Sequence, residues 1–240
     1  MTRFTPHTLL SWFVVCAIAA YQPEAFAAEN HSSTCVPIMA RLIPGEYHYC
    51  VALHDWQHGR NRSGLEEAEY SAEWGEKRAQ YELGVDYFDG RRGTKVDHAL
   101  GLAWLTLAAE RKDPQFLSIL ASARTQATPE ERQRAAMLVA QMQERYGDAH
   151  AVDRAERHYR TELWDIRDHI WDVLRSNPVD PWDSKIAIEI DGLGQVQPML
   201  ALRTLQHVGD TYFKGWGGHV TVGPLVPIND PPGVRLSGSP

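Results

Sequence analysis

Residues 79–109 read AQYELGVDYFDGRRGTKVDHALGLAWLTLAA, and their spacing decides the expected fold. Ala79, Leu83 and Tyr87 are four residues apart, so they lie on one face of a first helix. Gly84 follows Leu83 directly and has no side chain, which allows the backbone of a second helix to approach closely. The stretch therefore predicts a tightly packed helical hairpin.

The second half of this stretch supplies the partner helix. Gly90 and Asp97 fall in the connection, while Trp104 and Ala108 form the face that meets the first helix. Ala108 and Ala109 are small, which leaves room for a neighbouring pair of helices. A hairpin with two packing faces stacks on others of its kind rather than standing alone.

This arrangement of residues resembles the Sel1-like repeat family, a helix-turn-helix relative of the tetratricopeptide repeat. Three features differ from the family pattern: the connection between Gly90 and Asp97 is one residue longer than usual, Gly101 stands where alanine is usual, and Lys112 replaces a glycine. The resemblance implies a short solenoid that acts as a protein-interaction scaffold without catalysis or cofactors. It implies a structural role for the signature residues Ala79, Leu83, Gly84, Tyr87, Gly90, Asp97, Trp104, Ala108 and Ala109.

The rest of the chain is expected to complete a mainly α fold. Ala72 to Gly75 would end a preceding, degenerate unit, and Pro114 to Gly147 forms a further helix pair. Stacking requires roughly three units to bury a continuous core, so these neighbours would serve as flanking layers. The expected regions are a signal peptide at 1–27, an N-terminal helical segment at 28–62, the repeats at 63–147, a long packing helix at 148–177 and a small α+β appendage at 178–240.

Several helix boundaries are predicted from capping patterns. Ser63 and Glu66 have capping-box spacing and would begin one helix, and Thr128 and Glu131 begin another. Asp113 caps a helix that begins at Pro114. The remaining helices are expected over residues 76–88, 96–111 and 152–175.

The helix at 152–175 shows apolar residues at alternating four- and three-residue steps, from Tyr159 through Ile166 to Val173. Trp164 and Trp171 lie seven residues apart, and we expect them to widen this buried stripe. An exposed aromatic strip is the alternative. Asn177-Pro178 ends the helix.

The C-terminal region differs in composition from the helical part, because it contains more glycine and proline and more alternating apolar residues. Residues 185–190 predict a strand, Pro198 opens a helix that extends to about Val208, and residues 220–226 predict a last strand. Trp216 stands between glycines in the stretch 215–219. We expect it to cover a small core, although such a loop also suits presentation to a partner.

The N-terminus predicts export. Arg3 precedes an apolar run from Leu9 to Ala20, and Ala25-Phe26-Ala27 suits cleavage before Ala28. The mature chain contains no further segment that is long and apolar enough to span a bilayer. Cys35 and Cys50 then remain as a pair, which predicts a disulfide that closes a loop of about 15 residues. Such a disulfide suits an oxidising compartment, and the periplasm is the expected one.

Charge and motifs argue against several functions. The formal net charge of -7 disfavours nucleic acid as a partner. His48, His54 and His58 lack a convincing arrangement for zinc, so no metal or other cofactor is predicted. Asp165, Asp168 and Asp172 share a helix face, where carboxylates are usually solvated and paired with cations. The serines lack the local sequence contexts of known nucleophiles.

These observations favour an exported protein-binding scaffold rather than an enzyme. One alternative is an immunity protein that neutralises a toxin in the periplasm. A second is a hydrolase of cell-wall or β-lactam substrates, a reading that draws on cysteine-rich members of the Sel1-like family. Residues 79–109 contain no cysteine, which weakens the second alternative.

Overall fold

The fold is mainly helical, as the sequence predicts, in a computed structural model that describes residues 35–176, 188–190 and 194–216. Two short 3-10 turns, Arg91–Gly93 and Ala109–Arg111, follow the fourth and fifth helices. The helices are α1 Pro37–Leu42, α2 Pro44–Gln57, α3 Asn61–Glu73, α4 Lys77–Asp89, α5 His98–Ala108, α6 Pro114–Gln126, α7 Pro129–Tyr146, α8 Asp148–Ser176 and α9 Pro198–Tyr212.

Most predicted helix starts are confirmed by capping hydrogen bonds. The capping box before α7 is complete: the Glu131 N–H donates to the Thr128 hydroxyl over 3.2 Å, and the Thr128 N–H donates to the Glu131 carboxylate over 2.8 Å. Asp113 accepts from backbone N–H groups at the start of α6, and Asp97 does the same for α5. These contacts satisfy donors that have no partner within the helix.

The predicted start of α3 at Ser63 is wrong. The helix begins at Asn61, and the Ser63 hydroxyl donates instead to the carboxylate of Asp55 at the end of α2. Asp55 also accepts from Arg60 Nε over 2.9 Å. Because this carboxylate binds both Arg60 and Ser63, the connection after α2 is shortened and α3 starts earlier.

Each of the helices α2, α3 and α4 packs against the next helix in the chain. Helix α5 also contacts both α6 and α7. Two of the buried apolar clusters lie in this part of the molecule. The disulfide expected from the cysteine count joins Cys35 to Cys50 and ties the segment before α1 to the middle of α2.

A third buried cluster forms around α8, a helix of 29 residues. Tyr159, Ile166 and Ile170 are buried on its inner face, as the periodicity predicts. The prediction for the two tryptophans is wrong, because Trp164 is 53% exposed and Trp171 is 38% exposed. Each residue turns the helix by about 100°, so Trp164 lies almost opposite Ile166, and a seven-residue spacing only places the tryptophans on the same face as each other.

The C-terminal part joins the same core as α8. Strands β1, Ile188–Ile190, and β2, Gly194–Val196, form an antiparallel pair that precedes α9. Leu202 and Leu205 of α9 share the buried cluster with α1 and α8. Trp216 is 6% exposed in that cluster, which agrees with the expectation that it covers a core. The strand predicted at 220–226 lies outside the described residues.

The guanidinium of Arg111 connects this C-terminal part to the helical hairpins, because its carbon lies 3.6 Å from the centre of the Trp216 ring. Within the described part of the chain, every helix is too short or too polar to cross a membrane.

Candidate functional site

A half-open cleft of about 170 Å³ lies between α4, α5 and α6. Its floor is apolar, and its mouth is polar. It is lined by Tyr81, Val85, Phe88, Asp89, Arg91, Leu105, Ile119, Ser122, Ala123 and Gln126.

Two glycines position the floor of this cleft. A β-carbon on Gly84 would lie 2.7 Å from Leu105 Cγ, and one on Gly101 would lie 2.7 Å from Phe88 Cβ. Leu105 and Phe88 both line the cleft, so the close approach of α4 and α5 places these two side chains side by side. The glycine predicted to allow helix contact therefore also shapes the cavity.

The walls of the cleft are aromatic at one end and charged at the mouth. The rings of Tyr81 and Phe116 stack with centroids 5.0 Å apart. Burial, reinforced by the Glu82 carboxylate, raises the pKa of Tyr81, so its hydroxyl stays protonated at neutral pH. At the mouth, Arg91 and Asp89 form an exposed ion pair of 3.2 Å.

The size of the cleft limits what it can hold. An apolar cavity of about 150 Å³ accommodates a benzene molecule, so this cleft fits one large apolar side chain or a ligand of that size. Its ionisable lining residues are Tyr81, Asp89 and Arg91, and the last two neutralise each other. This set of groups suits the binding of an apolar group beside polar neighbours.

The signature residues lie behind the cleft rather than in it. Ala79, Leu83 and Trp104 share one buried cluster, and Tyr87 packs at its margin and donates a hydrogen bond to Glu69 over 3.2 Å. Burial, followed by the charge of Glu69, raises the pKa of Tyr87 to about 12. The other signature residues cap helices or fill close contacts: Gly84, Gly90, Asp97, Ala108 and Ala109.

Gly90 and Asp97 mark the two ends of the α4–α5 connection. Gly90 ends α4 with a φ of 72°, a left-handed conformation that favours glycine. Asp97 accepts from the Leu100 N–H over 3.0 Å and from both terminal nitrogens of Arg134, each over 2.8 Å. Burial alone would raise the pKa of Asp97, but these donors hold it below its usual range.

A buried polar network that the sequence analysis did not identify joins three helix ends. Lys77 Nζ donates to the Leu107 carbonyl over 2.8 Å and to Glu110 over 2.6 Å, and it lies 3.0 Å from Asp148. Arg111 forms two hydrogen bonds to the same Asp148 carboxylate, of 3.0 and 2.8 Å. The network fixes the start of α4 against the end of α5 and the start of α8.

Gln80, one turn after Lys77, extends this network to the third and seventh helices. Its amide nitrogen donates to the Ala72 carbonyl over 3.1 Å and to the Tyr146 carbonyl over 2.8 Å. A buried amide that spans two helix ends satisfies carbonyls that would otherwise lack partners. The only sequence signal for this role is a polar pair, Lys77 and Gln80, at i and i+3 on a helix face.

A second buried carboxylate, Asp86, lies on α4. Arg92 Nη1 donates to both of its oxygens over 2.9 Å, and the Arg92 guanidinium carbon lies 3.8 Å from the centre of the Trp56 ring. Burial raises the pKa of Asp86, and the Arg92 hydrogen bonds oppose this effect. Arg92 adopts a φ of 50°, so the chain enters a left-handed conformation to make this pair.

The other polar clusters seen in the sequence stay apart or pair locally. The His54 and His58 rings lie 4.3 Å apart, while His48 contacts Glu67 over 2.5 Å. No group of three or more candidate ligands converges on a metal position among the described residues. On α8, Asp172 pairs with Arg175, and Asp165 and Asp168 remain on the outer side of the helix.

Comparison of the chain with protein-family models, with curated proteins and with solved structures gave no match in any of the three.

Proposed function

We propose that this protein is an exported, Sel1-like scaffold that binds a partner protein and carries out no catalysis itself. The observation that carries the proposal is the cleft between α4, α5 and α6. Its apolar floor has the size of one side chain, and its polar mouth offers both a carboxylate and a guanidinium. Such a pocket suits an anchoring residue at the centre of a protein interface.

The helical arrangement supports the scaffold part of the proposal. The hairpins α2/α3 and α4/α5 would be two successive layers, of which the second carries the repeat signature, while α6 and α7 each contact α5 more extensively than they contact each other. Contacts between α3 and α4, and between α5 and both α6 and α7, support a stacked arrangement. In such a short solenoid the outer helices would serve as caps, which agrees with their lack of the signature residues.

The N-terminal features support export. Arg3, the apolar run from Leu9 to Ala20 and the small residues around Ala27 together have the order of a secretory signal. The Cys35–Cys50 disulfide suits an oxidising compartment, such as the periplasm, because disulfides rarely persist in a reducing cytosol.

The proposal is tested by blocking the cleft with a new ring. Ser122 is exposed at the mouth of the cleft on α6, so Ser122→Trp should cover the opening without disturbing the core. Ala121→Trp adds the same ring at a neighbouring exposed position that does not line the cleft. Neither substitution changes the net charge, so the two variants form a matched pair.

The measurement is a quantitative crosslinking pull-down from a cell-envelope extract, with mass spectrometry to identify captured proteins. We expect one protein to be recovered in roughly stoichiometric amount by the wild type and by Ala121→Trp, and lost with Ser122→Trp. Binding is then repeated with the purified partner. Equal capture by both variants would contradict the assignment of the cleft, and consistent absence of a partner would contradict the scaffold function.

A further inference from the structure

The connection between α4 and α5 contains an arginine in a backbone conformation that arginine rarely adopts. Arg92 has a φ of 50° and a ψ of 26°, and it lies between Gly90 and Gly93, whose φ values are 72° and 84°. Glycine adopts this left-handed region freely, whereas a residue with a β-carbon is strained there. Such a residue persists only where surrounding contacts hold it in place.

The side chain of Arg92 makes the contacts that hold this conformation. Its Nη1 donates to both carboxylate oxygens of Asp86 over 2.9 Å, and its Nη2 donates to Glu82 over 2.8 Å. Its guanidinium carbon lies 3.8 Å from the centre of the Trp56 ring, which adds a cation–π contact. The side chain of Glu82 is 22% exposed, but that of Asp86 is fully buried. The strained turn is therefore tied to a carboxylate that water does not reach.

Asp86 is a carboxyl group whose charge is disfavoured by its surroundings. Burial raises its pKa above the ordinary value of 3.8 and Glu82 adds to this effect, while Arg92 and, to a smaller extent, Arg91 oppose it. Because folding raises this pKa, the protonated carboxyl favours the folded state, and that contribution is lost as the pH rises through the folded-state pKa. Protonation of Asp86 therefore does not unfold the protein.

Other titratable groups of the helices around α4 have partners of their own. Tyr87 donates to Glu69 of α3, and its pKa is raised to about 12 by burial and by Glu69, so it stays neutral in acid. His98 of α5 lies 3.0 Å from Glu131. The charged residues of α2 and α3 include the pairs Asp55–Arg60, His48–Glu67, Arg62–Glu66 and Glu73–Arg145.

The same connection carries the charged mouth of the cleft. Arg91 lines the cleft and pairs with Asp89 over 3.2 Å, while Arg92, the next residue of the same 3-10 turn, contacts α2. Beyond the turn, the Thr94 hydroxyl donates to the Asp86 carbonyl over 2.6 Å. A movement of Arg92 would therefore also move Arg91 at the cleft.

We propose that the turn Arg91–Gly93 is a pH-sensitive latch at the mouth of the α4–α6 cleft. While Asp86 is ionised, Arg92 is held between Asp86 and the Trp56 ring, and Arg91 stays beside Asp89. When Asp86 takes up a proton, Arg92 loses its buried anionic partner, and the strained turn relaxes and displaces Arg91. The effect on partner binding rests on the proposed function. The latch itself is measured without a partner, so the two proposals fail independently.

The test is an NMR titration of the purified, ¹³C- and ¹⁵N-labelled protein from about pH 7 to about pH 4. The side-chain carboxyl carbon of Asp86 reports its protonation, and the indole N–H of Trp56, assigned with Trp56→Phe, reports the position of Arg92. The side-chain amide of Gln126, which lines the cleft on α6, reports changes at its mouth. We expect all three signals to change with one midpoint, at a pH above 3.8.

Substitutions then separate the latch from a general effect of acid. Asp86→Asn is neutral at every pH, so the Trp56 and Gln126 signals should already have their acid positions at pH 7 and should not titrate. Asp153→Asn removes an exposed carboxylate on α8, and its signals should titrate as in the wild type. Arg92→Gly removes both the strain and the cation. It should raise the pKa of Asp86 by about one unit or more, because a neighbouring cation lowers a carboxyl pKa by about 1–3 units.

Dispersed amide spectra report that each variant is folded. If Asp86→Asn does not fold, the wild-type titration and Arg92→Gly decide the question. Different midpoints for Asp86 and Trp56, an unchanged Asp86 pKa in Arg92→Gly, or a Trp56 signal that still titrates in Asp86→Asn would overturn the latch. A Gln126 signal that stays constant while Asp86 and Trp56 titrate together would overturn its link to the cleft.

Discussion

Gly84 and Leu105 approach so closely that a β-carbon on the glycine would lie 2.7 Å from Leu105 Cγ and 3.0 Å from the Leu105 backbone nitrogen. Atoms at these distances must move apart. The contact brings α4 and α5 together and fixes Leu105 at the floor of the cleft. Substitution at Gly84 therefore affects both the stability of the hairpin and the shape of the candidate site.

We expect Gly84→Leu to destabilise the protein by about 1–3 kcal/mol, the usual cost of overfilling a packed contact. Urea denaturation of the wild type and the variant measures the difference. Leu105→Ala creates space beside position 84, so the combination with Gly84→Ala should cost less than the sum of the two single changes. Full additivity, or an unchanged melting temperature for Gly84→Leu, would contradict the packing claim.

Lys77 provides a second stability test, because its ammonium group is buried among Glu110, Asp148 and the Leu107 carbonyl. Lys77→Met retains the length of the side chain but leaves the carboxylates without this cation. We expect the free energy of unfolding to fall by about 3–5 kcal/mol, which is typical when one partner of a buried ion pair is removed. Lys95→Met removes an exposed cation and should change stability by less than about 0.5 kcal/mol. Equal effects of the two variants would exclude a structural role for the network.

The Cys35–Cys50 disulfide closes a loop with a sequence separation of 15 residues. The chain-entropy model assigns about 3 kcal/mol to a loop of this length. Chemical denaturation should therefore show that a reductant lowers the free energy of unfolding of the wild type by about this amount. The Cys35→Ala/Cys50→Ala variant should have the lower free energy of unfolding from the start, and the reductant should not change it. Unchanged stability on complete reduction would contradict this prediction.

The helices were predictable where local patterns determine them, and the exceptions have identifiable causes. The capping box at Thr128 was correct because both of its hydrogen bonds form between residues three apart. The similar spacing at Ser63 was misleading because Asp55, eight residues earlier, binds the serine hydroxyl. A local pattern cannot reveal that competing partner.

The tryptophans of α8 illustrate a different limit. The heptad spacing correctly identified Ile166 and Ile170 as buried, but Trp164 and Trp171 obey the same period on the opposite face. Periodicity shows which residues share a face and does not show whether that face is covered. The cleft could not be predicted from the sequence either, because Leu105 and Ile119 come together only when α6 packs against α5.

The pH dependence of stability should reveal the role of Asp55. The Ser63 hydrogen bond is the largest influence that lowers the pKa of Asp55, and the Arg60 contacts add to it against the opposing effect of burial. Because the folded-state pKa is lower than the unfolded one, the ionised carboxylate stabilises the fold above the unfolded pKa of about 3.9. That contribution is lost as the pH falls through the folded-state pKa.

We therefore expect Asp55→Asn to be less stable than the wild type at pH 7, with a difference that shrinks as the pH falls below about 4. Urea denaturation at several pH values from 7 to 3 measures this difference. Asp153→Asn removes an exposed carboxylate on α8 and should change stability by less than about 0.5 kcal/mol at pH 7. A difference between Asp55→Asn and the wild type that stays constant across the range would show that the charge of Asp55 does not stabilise the α2–α3 connection, and that its contacts act only through their geometry.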